Sequence, residues 1–310
     1  MYLGIDTSNY TSSCAVYDEI NDRFHSKKQL LPVSEGQLGL RQSDAVFHHT
    51  KNLPPLLAGL CSEYAPEIKA VGASYAPRDI DGSYMPCFSV GNGYADVVAA
   101  TLGVERFSFS HQAGHVAAAL WSAKQTRLIN QKFIAFHVSG GTTDVLLVEP
   151  DDENIFNIKM IATSLDLKAG QAVDRVGGML GLSFPAGPEL DKLASRSENE
   201  FKIKPFIKDG CCSFSGVENK CRQMTEAGIN KNDIAKYCIS YICKAIELMT
   251  ESALSACGDL PVLYAGGVMS NSIINKKLSS EFGGYFAEPY YSSDNAAGTA
   301  YLTYLKEQRK

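Results

Sequence analysis

The stretch Phe133-Ile134-Ala135-Phe136-His137-Val138-Ser139-Gly140-Gly141-Thr142-Thr143-Asp144-Val145-Leu146-Leu147-Val148 decides the reading of the fold. Its apolar run, 133–138, predicts a buried strand. The small and hydroxyl residues 139–144 predict a tight turn, and 145–148 the return strand. The start of the chain has the same pattern: Tyr2-Leu3-Gly4-Ile5-Asp6, a hydroxyl-rich turn from Thr7 to Ser13, then Cys14-Ala15-Val16-Tyr17. A third strand is expected at 23–30 in the first half and at 156–162 in the second. Helix and strand then alternate. The first half predicts helices over 44–63 (Pro54-Pro55 opening a turn of it or kinking it), 89–102 and 111–123, with strands at 70–74 and 106–109. The second predicts helices near 170–180, 189–195, 217–227, 232–256 and 270–281, strands at 261–265 and 285–287, and a closing helix over 294–307. The pattern is that of a duplicated α/β architecture with a mixed sheet in each lobe, 1–128 and 129–310; a single α/β domain is the alternative.

Composition agrees with a packed protein. The 310 residues suit two domains of ~150, and 45% hydrophobic with 20% charged residues exclude wholesale disorder. No apolar run approaches the ~18 residues of a membrane span. The start lacks a secretion signal, so a cytoplasmic protein with no membrane partner is expected. The balance of 29 Lys and Arg against 34 Asp and Glu, net −5, argues against a strongly basic nucleic-acid-binding domain. Nine cysteines without any CxxC pair predict free thiols in a reducing compartment.

Several segments carry chemistry. The turns Gly4-Ile5-Asp6-Thr7-Ser8 and 138–144 offer glycine amides, hydroxyls and an acid, a set able to clamp a phosphate chain from both sides. Leu263-Tyr264-Ala265-Gly266-Gly267-Val268-Met269-Ser270-Asn271 reads as strand, Gly-Gly turn and helix start, able to lie against an adenosine or to be an ordinary tight turn. A Walker A signature is absent. His111-Gln112-Ala113-Gly114-His115 puts two imidazoles one helical turn apart, a spacing that can hold one metal ion or serve packing alone. Ala113 leaves no carboxylate inside the motif, so the HExxH arrangement of zinc peptidases is excluded. A third ligand must come from afar: Asp294, in Tyr291-Ser292-Ser293-Asp294-Asn295, is the candidate, with a helix N-cap as its other reading.

Together, GIDTS, HQAGH, VSGGTTD, GLSFPAGPELDKLA, SFSG, AGGVMSN and SSDNAAG resemble, in order, the family of tRNA threonylcarbamoyladenosine transferases, and they span 4–301. The resemblance implies the duplicated actin-like, sugar-kinase and heat-shock ATPase fold, two lobes with mixed sheets. It also implies one divalent metal, iron or zinc, on His111, His115 and Asp294. An adenine nucleotide or acyl-adenylate ligand is implied at His137, Val138, Ser139, Gly140, Gly141, Asp174, Gly187, Asp191 and Asn271, with the turns facing one interdomain cleft. The implied activity is transfer of threonylcarbamoyl from its adenylate to the adenosine beside the tRNA anticodon, with the metal as Lewis acid and template. Partner proteins that recruit tRNA, and a dimer with a same-fold partner or with itself, are expected too.

The departures cluster. Where typical members read GIETSCDETG, this chain has GIDTSNYTSS, so Tyr10 and Thr11 replace an acidic pair. Ala113 replaces the glutamate of HxEGH, and Thr142 the histidine of SGGHT. The stretch 77–87, with Arg78, Asp79 and Asp81, replaces a glycine-rich segment and either supplies new polar groups or is a solvated loop. These changes predict a divergent paralogue with altered transfer chemistry and no certain catalytic group. The alternatives are a catalytically weak nucleotide-binding protein acting through partners, or a carbamoyltransferase for a non-tRNA acceptor. Cys211, Cys212 and Cys221 fit no common zinc spacing. Cys238 and Cys243 are expected in a core, Trp121 in packing, and His48 and His49 on a helix face.

Overall fold

The computed structural model describes residues 1–8, 10–32, 40–291 and 295–310. In the first unit, β1 (Tyr2–Ser8) and β2 (Thr11–Asp18) are buried almost throughout and form an antiparallel hairpin from Tyr2↔Tyr17 to Ser8↔Thr11. β3 (Arg23–Leu30) adds antiparallel to β2. After α1 (Gln42–Tyr64), β4 (Ala70–Ala76) lies parallel to β1. After α2 (Phe88–Leu102), β5 (Glu105–Ser110) lies parallel to β4 and runs directly into α3 (His111–Ser122). The order is β3-β2-β1-β4-β5. Leu3, Ile5, Cys14 and Val16 pack with Leu53, Leu57 and Ala95 of α1 and α2 on one face of the sheet. Pro54 and Pro55 sit inside the 23-residue α1. The carbonyls they leave without an N–H donor belong to Thr50 and Lys51, which are exposed to water.

The second unit repeats the design. β6 (Phe133–Val138) pairs antiparallel with β7 (Thr143–Asp151), which is followed by β8 (Ile155–Thr163). Next come α4 (Ala169–Met179), α5 (Gly187–Ala194), a hairpin of β9 (Ile207–Lys208) and β10 (Cys211–Cys212), α6 (Ser215–Glu226) and α7 (Lys231–Cys257). β11 (Val262–Ala265), α8 (Ser272–Phe282) and β12 (Tyr285–Phe286) complete it, with β11 parallel to both β6 and β12. The order β12-β11-β6-β7-β8 is that of the first sheet with β6 in the place of β1, so the expected duplication is present. Cys238 and Cys243 are buried on α7, and all nine cysteines are free.

The chain divides into two compact units, 1–122 with 151–157 and 290–310, and 123–150 with 158–289. This differs from the expected lobes at the boundary, 122/123, and in that 151–157 and 290–310 join the first unit. The last helix, α9 (Asn295–Glu307), packs on β1, β2, β4 and α3 of the first unit rather than with the half that precedes it in sequence. Glycines permit this. A Cβ on Gly4 would lie 2.2 Å from the Ala300 nitrogen, and one on Gly298 would lie 1.8 Å from the Gly114 carbonyl oxygen. Helix therefore meets strand and helix backbone to backbone. Among the described residues no helix is long and apolar enough to cross a membrane.

Candidate functional site

The parallel strands β1, β4 and β5 end at one edge of the first sheet, the edge where α/β sheets place ligands. Three polar residues converge there: Asp6, Ser74 and His111. The Ser110 hydroxyl accepts from the Ala113 amide at 3.2 Å, which caps α3 and lets it start without a loop. His111 is thus fixed at the strand end, and His115 lies one turn further on. Their Nε2 atoms are 3.0 Å apart. Nδ1 of His111 is 2.9 Å from Oδ1 of Asp6, a side chain only 1% exposed. Asn295, the first residue of α9, donates to the same oxygen at 2.9 Å and to the Ser74 hydroxyl at 3.3 Å. The other oxygen of Asp6 accepts from the Ser8 amide at 3.3 Å. Burial opposes the charge on Asp6, but the His111 imidazole and donation from Ser74 and Asn295 outweigh it. The carboxyl is held well below the usual carboxylate range and stays ionised.

Two imidazole nitrogens converging in this way are within reach of one ion bound at about 2.1 Å from each, and a carboxylate behind one of them is the usual outer support of a metal-binding histidine. Two imidazoles are donors that suit zinc or iron, and they would need further ligands to complete a site. Asp294, the expected third ligand, lies outside the described residues. Among those described, no group of three His, Cys, Asp or Glu is placed to hold a metal, which includes Cys211, Cys212 and Cys221. Ala113 is buried, with no carboxylate beside it on the helix to act as a base. Tyr10 is 46% exposed, and Thr11 pairs with Ser8 and Leu30 in the ladder. Asp79 accepts from the Tyr75 hydroxyl at 2.5 Å, Arg78 donates its amide to Ser83 at 3.0 Å, and Asp79 and Asp81 are exposed. Trp121 packs against Phe24 and Tyr291, as expected. His49 is fully buried, its Nδ1 2.8 Å from the Ser12 hydroxyl, and burial pushes its pKa down to about 4. A neutral His49 thus ties α1 to β2.

The second unit holds a cavity of about 610 Å³, all of whose lining residues belong to that unit. Of the residues expected to meet a nucleotide, Ser139, Gly140, Asp174, Gly187, Asp191 and Asn271 line it. His137, Val138 and Gly141 do not line it, although His137 and Val138 lead into the turn as the last residues of β6. The lining residues have local tasks that set its shape. Asn271 caps α8 by accepting from Ile273 and Ile274, both at 3.1 Å. Asp191 receives the amide and hydroxyl of Ser272, which ties α5 to α8. Asp174 receives the Ala186 amide at 2.9 Å. The hydroxyl of Ser139 accepts from the amides of Gly141 and Thr142 at 3.3 and 3.1 Å, so Thr142 contributes backbone to the turn. A Cβ at Gly170 would lie 2.5 Å from the Gly140 nitrogen, which brings the start of α4 onto this turn. Gly266, at φ 102°, has its Cα hydrogen where a Cβ would lie 2.2 Å from the Val138 oxygen.

Sequence reasoning took Asp6 only as the acid of a phosphate-type turn and did not select Ser74, Asn295 or Gly170, although Gly114 and Asn295 sit inside quoted motifs. The glycine of HQAGH was the available signal, because a helical glycine beside a histidine pair marks a close approach.

Residues 31–301 match the tRNA N6-adenosine threonylcarbamoyltransferase family. A protein of that name from Sulfurihydrogenibium sp. (strain YO3AOP1) is 29% identical, over 99% of this chain and 91% of its own length. Among solved structures, full-length HypF in its phosphate- and nucleotide-bound form superposes with TM-score 0.60 at 12% identity, over 99% of this chain and 55% of its own. Component A of (R)-2-hydroxyglutaryl-CoA dehydratase from Acidaminococcus fermentans does so with 0.57 at 17%, over 99% and 98%. These likenesses show the fold, the one shared by sugar kinases, actin and heat-shock ATPases. With the family matched over most of its length, the chain belongs to the tRNA N6-adenosine threonylcarbamoyltransferase family.

Proposed function

We propose that this protein is a metal-dependent transferase that moves a threonylcarbamoyl group from its adenylate to a tRNA adenosine, and that it does so slowly. The observation that carries the reading is the His111–His115 pair, its Nε2 atoms 3.0 Å apart and backed by the buried Asp6. His111 and His115, with Asp294, would hold the ion, which when bound supplies a Lewis acid for the carbonyl of the acyl-adenylate. The cavity of the second unit takes the adenylate, with Ser139 and Gly140 of the turn and Asn271, the cap of α8, in its lining. In the transfer, the acceptor amine attacks the carbamoyl carbon. A C–N bond forms, the C–O bond to phosphate breaks, adenylate leaves and the amine gives up a proton.

The altered positions bear on that proton. The acidic position of the first turn holds Tyr10, and a phenol is a poor base at neutral pH. Thr142 does not titrate as a histidine does. Loss of one such group typically costs ~10²–10⁴ in rate. These changes favour, as second reading, a nucleotide-binding paralogue that acts through partners. The test is a side-by-side assay with threonylcarbamoyl-adenylate, tRNA and the partner proteins of a relative carrying the full motifs. Turnover at least ~100-fold below that relative is expected. Comparable turnover refutes the slow-transfer reading, and adenylate binding with no transfer at all supports the second.

A further inference from the structure

We infer that Asp6, held in place by Asn295, is a positioning residue that commits His111 to the tautomer protonated on Nδ1 and thereby presents its Nε2 lone pair to the ion shared with His115. This rests on the metal reading above. The argument is geometric. Nδ1 of His111 and Oδ1 of Asp6 are 2.9 Å apart, with the carboxylate buried. A bare ring nitrogen at that distance from a carboxylate oxygen would set two lone pairs against each other, so Nδ1 carries the proton and donates it.

Asn295 enforces the arrangement. Its Nδ2 gives its two hydrogens to the same Oδ1, 2.9 Å away, and to the Ser74 hydroxyl, 3.3 Å away, so its 2.9 Å approach to Nδ1 of His111 is not a third hydrogen bond and leaves the proton of that nitrogen to Asp6. With the amide turned over, its oxygen would meet the carboxylate, so the nitrogen faces Asp6 and the oxygen is left buried and without a hydrogen bond. That oxygen lies over Gly114, where a Cβ would approach to 2.5 Å. Leaving a buried carbonyl unsatisfied is costly, and the arrangement that exacts this cost is the one that fixes Asp6. The Nε2 lone pair of His111 then faces Nε2 of His115, 3.0 Å away.

Long-range proton–nitrogen spectra of metal-free, 15N-histidine-labelled protein test this, with the His111 signals assigned by their loss in His111→Gln. The wild type should show His111 protonated on Nδ1. Asp6→Ala should shift it toward the Nε2–H form and raise the Kd for Co(II), read by absorption, ~10- to 100-fold. Asp6→Asn should restore the Nδ1–H form and most of the affinity, because the Asn295 donor selects the carbonyl oxygen of the new amide. An Nε2–H ring in the wild type, which needs no variant to fold, overturns the inference. So does an Asp6→Ala protein with unchanged tautomer and Co(II) affinity. A wild type with the Nδ1–H ring that binds no Co(II) overturns the metal reading instead, so the two failures are distinguishable.

Discussion

Replacing Gly298 with alanine should destabilise the first unit, although alanine is the better helix former. A Cβ there would stand 1.8 Å from the Gly114 oxygen and 2.6 Å from its carbonyl carbon, against a floor of 3.0 Å for real contacts, so α3 and α9 must part by about 1.2 Å. The clashing atoms are backbone in the first turn of α3, and no rotamer change relieves them. Helix propensity returns about 1 kcal/mol. Overpacking typically costs ~1–3 kcal/mol, and a backbone clash belongs at or beyond the upper end. The net loss is about 2 kcal/mol, which lowers the Tm of the first unit, about 150 residues, by about 4–8 °C. Gly93→Ala, on α2 with nothing within 4 Å of the new Cβ, is the matched control and should gain about 0.5–1 kcal/mol. Thermal melts followed by circular dichroism on the two variants and the wild type decide the matter. A Gly298→Ala protein that melts at or above the wild type refutes the close backbone crossing.

Two further outcomes follow from the geometry. His49 stays neutral in the fold down to about pH 4 while the unfolded chain takes up its proton near 6.5, so stability should fall as the pH drops from about 6.5 to 4; denaturant midpoints across that range should be flatter for His49→Gln. Adenine nucleotide at ~100 Kd should stabilise the protein by about 2.7 kcal/mol through the cavity of the second unit, and Asn271→Ala, by loosening α8, should diminish the shift in Tm; an unchanged Tm at millimolar ATP or ADP refutes the nucleotide cavity.

The alternation of strands and helices was legible because burial writes itself into local periodicity: 133–138 and 2–6 are apolar runs, and both became central strands. The position of α9 was not legible. Its partners Gly4 and Gly114 lie 296 and 184 residues away from Ala300 and Gly298, and no local pattern carries that distance. The hairpin of β9 and β10 was legible in principle: Asp209 at φ 51° and Gly210 at φ 75° form the Asp-Gly turn that favours tight hairpins, but two-residue strands leave no alternation to notice. At the site, the histidine pair announced itself by spacing, whereas Asp6, Ser74 and Asn295 are recruited from three separate elements by the fold.

Because α9 covers the face of β1 and β4 that carries Gly4 and Gly72, the order of synthesis matters. The strands β1 and β4 leave the ribosome well before their covering helix, which follows the whole second unit. Until then that face of the nascent sheet is open, and Asp6 and His111 wait without the amide that joins them. The second unit, sequential but for the tip at 151–157, is free to finish beforehand. The histidine centre therefore assembles only after the second unit has been made, and a chain arrested before residue 295 emerges carries both histidines without the packing that organises them.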